Sequence, residues 1–564
     1  MVNKFFVDIG MTLANGISIR GPPSSVIESQ YQHDSLVLLQ VDEQEIDRLI
    51  SGLRSDCAIG WDGISSRILQ RSKYILVPAI THICQLAMDT GLFPNSFKKA
   101  IVHPIFKGGK EDEVTNYRPI SVLTALSKIL EKVLNNRLVN FLESRDILAR
   151  NQFGFRKGIS TEHAVSSLVE DVVGCLDAKD RCLGIFIDLS KAFDTVSIPM
   201  LLKKLEHIGV RGVQLSLFKD YLTSRKQSVR IGDFKSDEEE LVFGVPQGSI
   251  LGPTLFLIYI NSLCKLVIPN CNIYAYADDT ALIVNGPNWK DTCRYAETAL
   301  STVVSWFNSN LLTINLKKTS FITFALNTSS LPAAGAITIK AHTCLTNPIS
   351  GCQCLELSRS TTTKYLGLNI DQHLKWDKHI HSLIPRIRKL IHIFKNLNSV
   401  TDLKTLKTVY FALCQSVLSY CITVWGGAAK YIMLPLERAQ RAVLKVMTKK
   451  PFRYPTLQVY NDNSVLTVRQ LFIMLTILRK HSQLPFDPSL LIRKRRSDRV
   501  CHIPQHRTAL AGRHFKILSS KMYNKINKIL QIYRCTKRKT KQKLQEWLKT
   551  LTYTTTEDIL IQES

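Results

Sequence analysis

The chain has 564 residues, 45% hydrophobic and 21% charged, a globular composition with room for roughly two to four domains. Its 74 Lys and Arg against 46 Asp and Glu leave +28, and 18 of those cations against 5 acids fall in residues 491–564, so a polyanionic partner is favoured. Secretion and membrane insertion are disfavoured: fourteen cysteines are scattered without an even framework, Asp8 interrupts the apolar start, and the longest apolar run, residues 255–260, is far short of a span.

In chain order, the first fifty or so residues are poorly patterned and are expected to be weakly ordered. Residues 41–50 place apolar side chains at helical spacing, with acids near the start. The loop Gly60-Trp61-Asp62-Gly63-Ile64 precedes a second helical region reaching Met88, which Gly91-Leu92-Phe93-Pro94 ends. Residues 100–106 read as a strand leading into the basic Lys107-Gly108-Gly109-Lys110, and residues 126–142 as an amphipathic helix. After Asp194, Ser197 as N-cap, Pro199 in the first turn and Gly209 past the end frame another helix. Residues 227–232 and 240–243 read as strands and 249–266 as a helix, with a further helix over 292–308 capped by Asp291. From residue 376 to about 484 the pattern is helical, and the basic segment follows.

Chemistry concentrates at Tyr276-Ala277-Asp278-Asp279, flanked by the β-prone runs Asn272-Ile273-Tyr274-Ala275 and Thr280-Ala281-Leu282-Ile283-Val284. Adjacent carboxylates at a hairpin tip repel each other, so a fold that holds them together usually does so for a cation. The apolar run Leu183-Gly184-Ile185-Phe186-Ile187 ends in Asp188. A strand ending in one carboxylate and a hairpin presenting two more suit a pair of Mg²⁺ ions in phosphoryl transfer. Read alone, an Asp-Asp turn is more often a solvated surface feature. Two cysteine groups bear on zinc: His342, Cys344, Cys352 and Cys354 have gaps unlike a knuckle or ribbon, and Cys414 and Cys421, seven apart in a helical pattern, suit a core.

Taken in order, Asn116-Tyr117-Arg118-Pro119-Ile120-Ser121, Gln152-Phe153-Gly154-Phe155-Arg156-Lys157-Gly158, Phe186-Ile187-Asp188-Leu189-Ser190-Lys191-Ala192-Phe193-Asp194, Gly244-Val245-Pro246-Gln247-Gly248-Ser249 and Tyr276-Ala277-Asp278-Asp279 resemble successive motifs of reverse transcriptases. The resemblance is to those of non-LTR retrotransposons, of the jockey-like or LINE type. Leu312-Thr313-Ile314-Asn315-Leu316-Lys317-Lys318-Thr319, Lys364-Tyr365-Leu366-Gly367, Tyr420-Cys421-Ile422-Thr423-Val424-Trp425-Gly426 and Leu436-Glu437-Arg438-Ala439-Gln440-Arg441 extend it, so that it covers roughly residues 40–530.

The resemblance implies an α+β right-hand polymerase. An N-terminal extension (1–54) would be followed by fingers (55–180), a palm (181–370) with an antiparallel sheet, a helical thumb and connection (371–484) and a basic C-terminal segment (485–564) gripping nucleic acid. It implies Asp188 and Asp278 as the principal ligands of two Mg²⁺ ions, with Asp279 beside them and Mn²⁺ as a substitute. Phe193 would be an aromatic gate against a 2′-hydroxyl, although it also suits an ordinary core. Arg118 and, more weakly, Lys107 would neutralise the incoming triphosphate. Gln247 and Gly248 would approach the nucleotide, Lys318 would be the acid toward pyrophosphate, and Tyr365, Leu366 and Gly367 would form the primer grip. The implied partners are an RNA template, a DNA primer or target DNA and dNTPs, with no membrane.

Only about fifty residues precede the recognisable fingers, so the endonuclease usual in this family is expected to be absent, and Cys57-Ala58-Ile59-Gly60-Trp61-Asp62-Gly63-Ile64 is a divergent form of a family loop. The sequence leaves open a catalytically silent, basic nucleic-acid-binding relic or domesticated protein. A viral-type RNA polymerase or a group II maturase is a more distant alternative. An intracellular setting is expected, nuclear or cytoplasmic. Arg493-Lys494-Arg495-Arg496 and Lys537-Arg538-Lys539-Thr540-Lys541 suit nuclear import and RNA binding equally.

Overall fold

A computed structural model describes residues 1–17, 32–333, 335–342, 354–484 and 500–560. Cys344 and Cys352 of the cysteine group and the run Arg493-Lys494-Arg495-Arg496 lie outside the described residues. Among those described, a first sheet joins β1 (Lys99–Phe106), β2 (Tyr117–Val122), β4 (Arg225–Ile231), β5 (Phe234–Lys235) and β6 (Glu239–Leu241) in the order β2-β1-β4-β5, with β6 also on β4. A second runs β10-β9-β3-β8-β7, from β3 (Arg181–Ile187), β7 (Cys271–Tyr276), β8 (Asp279–Gly286), β9 (Ser320–Phe324) and β10 (Ser358–Ser360). A separate hairpin pairs β11 (Thr362–Tyr365) with β12 (Leu368–Asp371).

The second sheet has helices on both faces, which explains why β3 is a continuous apolar run and not an alternating one. Leu183, Ile185 and Ile187 turn to a core shared with helices Ala125–Ser144, Ile198–His207 and Leu251–Cys264. Cys182 and Phe186 turn to a second core shared with helix Thr161–Asp177 and with helix Asp377–Leu397 and those after it. This sheet is not wholly antiparallel as expected: its edge strand β10 runs parallel to β9. Their long connection, from Phe324 to Ser358, lets the chain return before pairing, which a tight hairpin cannot do.

Most sequence-predicted elements are present, and four details differ. The start is not patternless coil: Val2–Asn15 is a helix, held because Phe6 joins Val102 and Val229 and the Asn3 side chain donates to Gln227 and Asp237 carbonyls. Helix Trp289–Ser309 starts earlier than expected and is capped by Asn288, whose Oδ1 accepts from the Asp291 N–H at 2.9 Å; Asp291 sits within the first turn. Ser197 precedes its helix without a side-chain cap bond. The described part of the basic C-terminal segment is folded: Phe515–Leu530 and Lys537–Thr550 are helices that bury Tyr523, Ile526, Leu544 and Leu548 in the same core as Asp377–Leu397. Cys414 and Cys421 are buried there too. No described helix is long and apolar enough to cross a membrane.

Candidate active site

Tyr276 pairs with Asp279 at the end of the β7–β8 ladder, leaving Ala277 and Asp278 as the loop. Ala277 is buried and left-handed at φ +58°, a conformation that costs a non-glycine residue of the order of 1 kcal/mol and needs outside support. The Gln152-Phe153-Gly154 segment supplies it. Fully buried Gln152 accepts at Oε1 from the N–H groups of Ala277 (3.2 Å) and Gly154 (3.1 Å), and Phe153 N–H donates to the Ala275 carbonyl at 2.8 Å. A Cβ at Gly154 would lie 2.4 Å from the Ala277 nitrogen, so only glycine allows this approach.

Strand alternation then places the carboxylates. Ile187 pairs with Thr280, so the next positions, Asp188 and Asp279, continue the faces of Phe186 and Ala281 on the same side of the sheet. Asp188 is half-buried and is held by its own backbone: its carbonyl accepts from Asn315 N–H at 2.8 Å and its N–H donates to Thr319 Oγ1 at 3.3 Å. Burial raises the Asp278 carboxyl above its ordinary range; Arg118 counteracts this and Asp188 adds to it. Asp279 stands at the surface, yet surrounding protein and then the charges of Asp278 and Asp188 push it up to about 6. Mutual repulsion of this kind is what a divalent cation would relieve. Mg²⁺ commonly binds through one or two carboxylates plus phosphate oxygens, a donor set that the Asp188 and Asp278 carboxylates would suit.

Asp188 and Asp278 open into a cavity of about 820 Å³. It is also lined by Lys107, Arg118, Phe193, Gln247, Gly248 and Lys318, so eight of the twelve sequence-predicted site residues meet in one space. Asp279, Tyr365, Leu366 and Gly367 are not in its lining. Phe193 is neither a free gate nor plain core: its ring stacks on Phe256 (4.5 Å, 21°), meets Phe155 edge-on at 6.2 Å and still borders the cavity. Gly248 makes a close approach, but to protein: at φ +117° a Cβ would meet the Ser121 carbonyl oxygen at 2.5 Å. Gln247 accepts from Ser121 N–H at its own carbonyl (2.7 Å), while its side-chain Nε2 donates to Asp194 Oδ1 (2.7 Å). These two residues do not start the helix, which begins at Leu251.

Sequence reasoning passed over Lys191. Its ammonium lines the cavity and donates to the carbonyls of Thr115 (3.2 Å) and Tyr117 (2.8 Å), tying the Asp188 loop to the segment that carries Arg118. Burial lowers its pKa; Asp194 opposes this, and the positive charges of Lys107, Arg118 and Lys318 reinforce it. Nothing local distinguished this lysine from a solvated one, because its partners lie 76 and 74 residues away.

The remaining predicted residues form an adjacent turn. Tyr365 pairs with Leu368, and Leu366 (φ +45°) and Gly367 (φ +82°) make the loop of the β11–β12 hairpin. Tyr365 is buried against Phe186 at 5.4 Å, on the Asp279 side of the sheet, and its hydroxyl pKa is raised by burial and then by the Asp279 charge. Tyr420 Oη donates to the Leu366 carbonyl at 2.8 Å, so the helical half of the molecule latches this turn from outside.

A strand-end carboxylate and an Asp-bearing hairpin beside a cation-lined cavity define the class that sequence comparison also returns. The profile of the family described as Reverse transcriptase (RNA-dependent DNA polymerase) matches residues 106–370. Over residues 106–370 the chain matches the reverse transcriptases, and over most of its length it is a distant homologue of the jockey- and BS-like reverse transcriptases of non-LTR retrotransposons. It is 28% identical over 446 residues to an RNA-directed DNA polymerase attributed to transposon BS of Drosophila melanogaster, covering 77% of this chain and 48% of that protein. It is 27% identical over 451 residues to the RNA-directed DNA polymerase from mobile element jockey of the same species (78% and 47%), and 27% identical over 462 residues to that of Drosophila funebris (80% and 48%). The chain thus spans about half the length of these relatives.

Proposed function

We propose that the chain is an RNA-directed DNA polymerase of a non-LTR retrotransposon, extending a DNA primer on an RNA template by two-metal nucleotidyl transfer. One observation carries this reading: Asp188 and Asp278 share a cavity with Arg118, Lys107, Lys318 and the Phe193 ring, so cation ligands, phosphate partners and an apolar wall face one volume. In this reading residues 55–180, with β1 and β2, are the fingers, residues 181–370, with the second sheet, are the palm, and the helices from Asp377 onward are the thumb and connection, followed by the basic C-terminal segment.

Asp188 and Asp278, with Asp279 behind them, would hold two Mg²⁺ or substituting Mn²⁺ ions, which when bound supply a lower pKa at the primer 3′-hydroxyl and charge neutralisation at the leaving pyrophosphate. Arg118 binds the triphosphate through its planar fork, Lys107 adds a point charge, and Lys191 holds their segment in place. Phe193, fixed by its stacking on Phe256, presents a surface that neither accommodates nor hydrogen-bonds a 2′-hydroxyl. Gln247 and Gly248 also wall the nucleotide, Lys318 delivers a proton to pyrophosphate, and the Tyr365-Leu366-Gly367 turn supports the primer end. Template, primer and basic surface interact chiefly through phosphates.

The test is primer extension on poly(rA)/oligo(dT) with Mg²⁺ and dTTP, comparing the parent chain with Asp278→Ala. Extension that disappears in the variant supports the reading. A folded parent that binds RNA but does not extend the primer overturns it in favour of a silent nucleic-acid-binding descendant.

A further inference from the structure

Glu131 lies in the second turn of helix Ala125–Ser144, is completely buried, and is not in the lining of the cavity. A carboxylate at such a position is costly unless its oxygens are occupied. Here they are. Oε2 accepts the Ile250 N–H at 2.6 Å and the Leu251 N–H at 3.4 Å, and Oε1 accepts from Ser127 Oγ at 3.4 Å. Ile250 and Leu251 are the N-cap and first residue of helix Leu251–Cys264, whose leading amides have no partner within their own helix. Ser249 Oγ accepts the Gly252 N–H at 2.9 Å, but Ile250 has no side-chain oxygen of its own, so the two amides before Gly252 are capped in trans by a residue 119 positions before Ile250. One helical turn further along both helices, Thr254 Oγ1 donates to Asn135 Oδ1 at 2.7 Å, a second rung in the same register.

The capped amides follow directly on the Pro246-Gln247-Gly248-Ser249 turn, which forms one wall of the cavity. The turn's other anchors lie on its far side, at Ser121 and Asp194. On the helix side, Ser249 Oγ donates to the Pro246 carbonyl and accepts the Gly252 N–H, both at 2.9 Å, and the Glu131 rung is the tie from there to a second helix.

We infer that Glu131 is a positioning residue for nucleotide binding, setting the Gln247–Gly248 wall of the cavity by capping helix Leu251–Cys264 in trans, with Asn135 and Thr254 as the second rung. This rests on the polymerase reading above and names a residue whose effect reaches the nucleotide only through the turn.

The chemistry separates acceptor from charge. Glu131→Gln keeps an acceptor oxygen and loses the charge; Glu131→Met keeps the length and removes both acceptors. In primer extension on poly(rA)/oligo(dT), Glu131→Met is expected to raise the KM for dTTP roughly tenfold, with kcat and primer–template affinity within about twofold of the parent, because two buried N–H groups lose their partner. Glu131→Gln is expected to stay within about threefold. Equal loss in both variants, or a fall in kcat or template affinity at unchanged KM, overturns the inference. If Glu131→Met does not fold, Asn135→Leu reads the second rung: a smaller KM rise is expected, and no rise overturns it. If the folded parent extends no primer, the polymerase reading fails. Calorimetric titration of dTTP with Mg²⁺ into parent and Glu131→Met then decides this inference: weaker binding by the variant supports it, and equal binding, or none by the parent, overturns it.

Discussion

Gly154 and Asp278 lie more than a hundred residues apart, yet the first decides where the second can stand. Because a Cβ at 154 would sit 2.4 Å from the Ala277 nitrogen, Gly154→Ala must displace the hairpin loop. The expected outcome is a fall in primer-extension rate of roughly a hundredfold, the scale of misplacing a reacting group by about an ångström, with a much smaller change in melting temperature. The two acids of the hairpin should also separate: Asp278 lines the cavity and Asp279 does not, so Asp278→Asn is expected to abolish extension while Asp279→Asn leaves a measurable residue. At this scale the sequence was most legible in which residues come together, as with Asp188, Asp278, Arg118 and Phe193 around one cavity. It was silent on Lys191, whose partners are backbone carbonyls brought in by another strand, and on Glu131, which reads as one more polar position in a helix.

Among the elements, helix Asp377–Leu397 holds a titratable group in an apolar place. His379 is buried between Trp376 and Trp425, and burial lowers it from 6.5 to about 4; His514, also buried, is likewise lowered to about 4, chiefly by burial. A depressed folded-state pKa means that the unfolded chain binds the proton more tightly. Each histidine therefore contributes stability that is fully present above about pH 6.5 and is lost as pH falls toward 4, on the order of 3 kcal/mol apiece. Asp194, raised to about 6 by burial, runs in the opposite direction and gains stability over part of that range. The test is accordingly a difference: melting temperatures of parent and His379→Phe measured from pH 7.5 to 4.5 should converge in the variant's favour as pH falls. Helix periodicity and turn residues made most elements legible. The helix Val2–Asn15 escaped because what fixes it is tertiary, the Asn3 contact with β4 and the Phe6 contact with β1 and β4. The parallel β9–β10 edge escaped because neither strand differs locally from an antiparallel one.

For the molecule as a whole, the net charge of +28 predicts binding to single-stranded RNA that weakens steeply with salt, and a plot of log affinity against log salt measured by filter binding should be linear with a slope of several units. The C-terminal segment is expected to matter for stability as well as charge. Ending the chain at residue 484 would bare the faces that Met522, Tyr523, Ile526, Leu544 and Leu548 now cover, so the shortened protein should melt lower and bind a hydrophobic dye, where loss of a solvated tail would change only RNA affinity. The sequence marked this segment by its charge, and the apolar residues spaced between its lysines were the overlooked sign of packing. The contact between helix Thr161–Asp177 and this segment also has a consequence during synthesis. The Asp177 carboxylate accepts the N–H groups of Arg507 and Thr508, 330 and 331 residues later, which at about 5–20 residues per second a ribosome reaches roughly 17–70 s after Asp177. For that interval the outer face of the helix waits uncovered on the nascent chain, a window in which chaperone occupancy, rather than intrinsic stability, would govern the yield of folded protein.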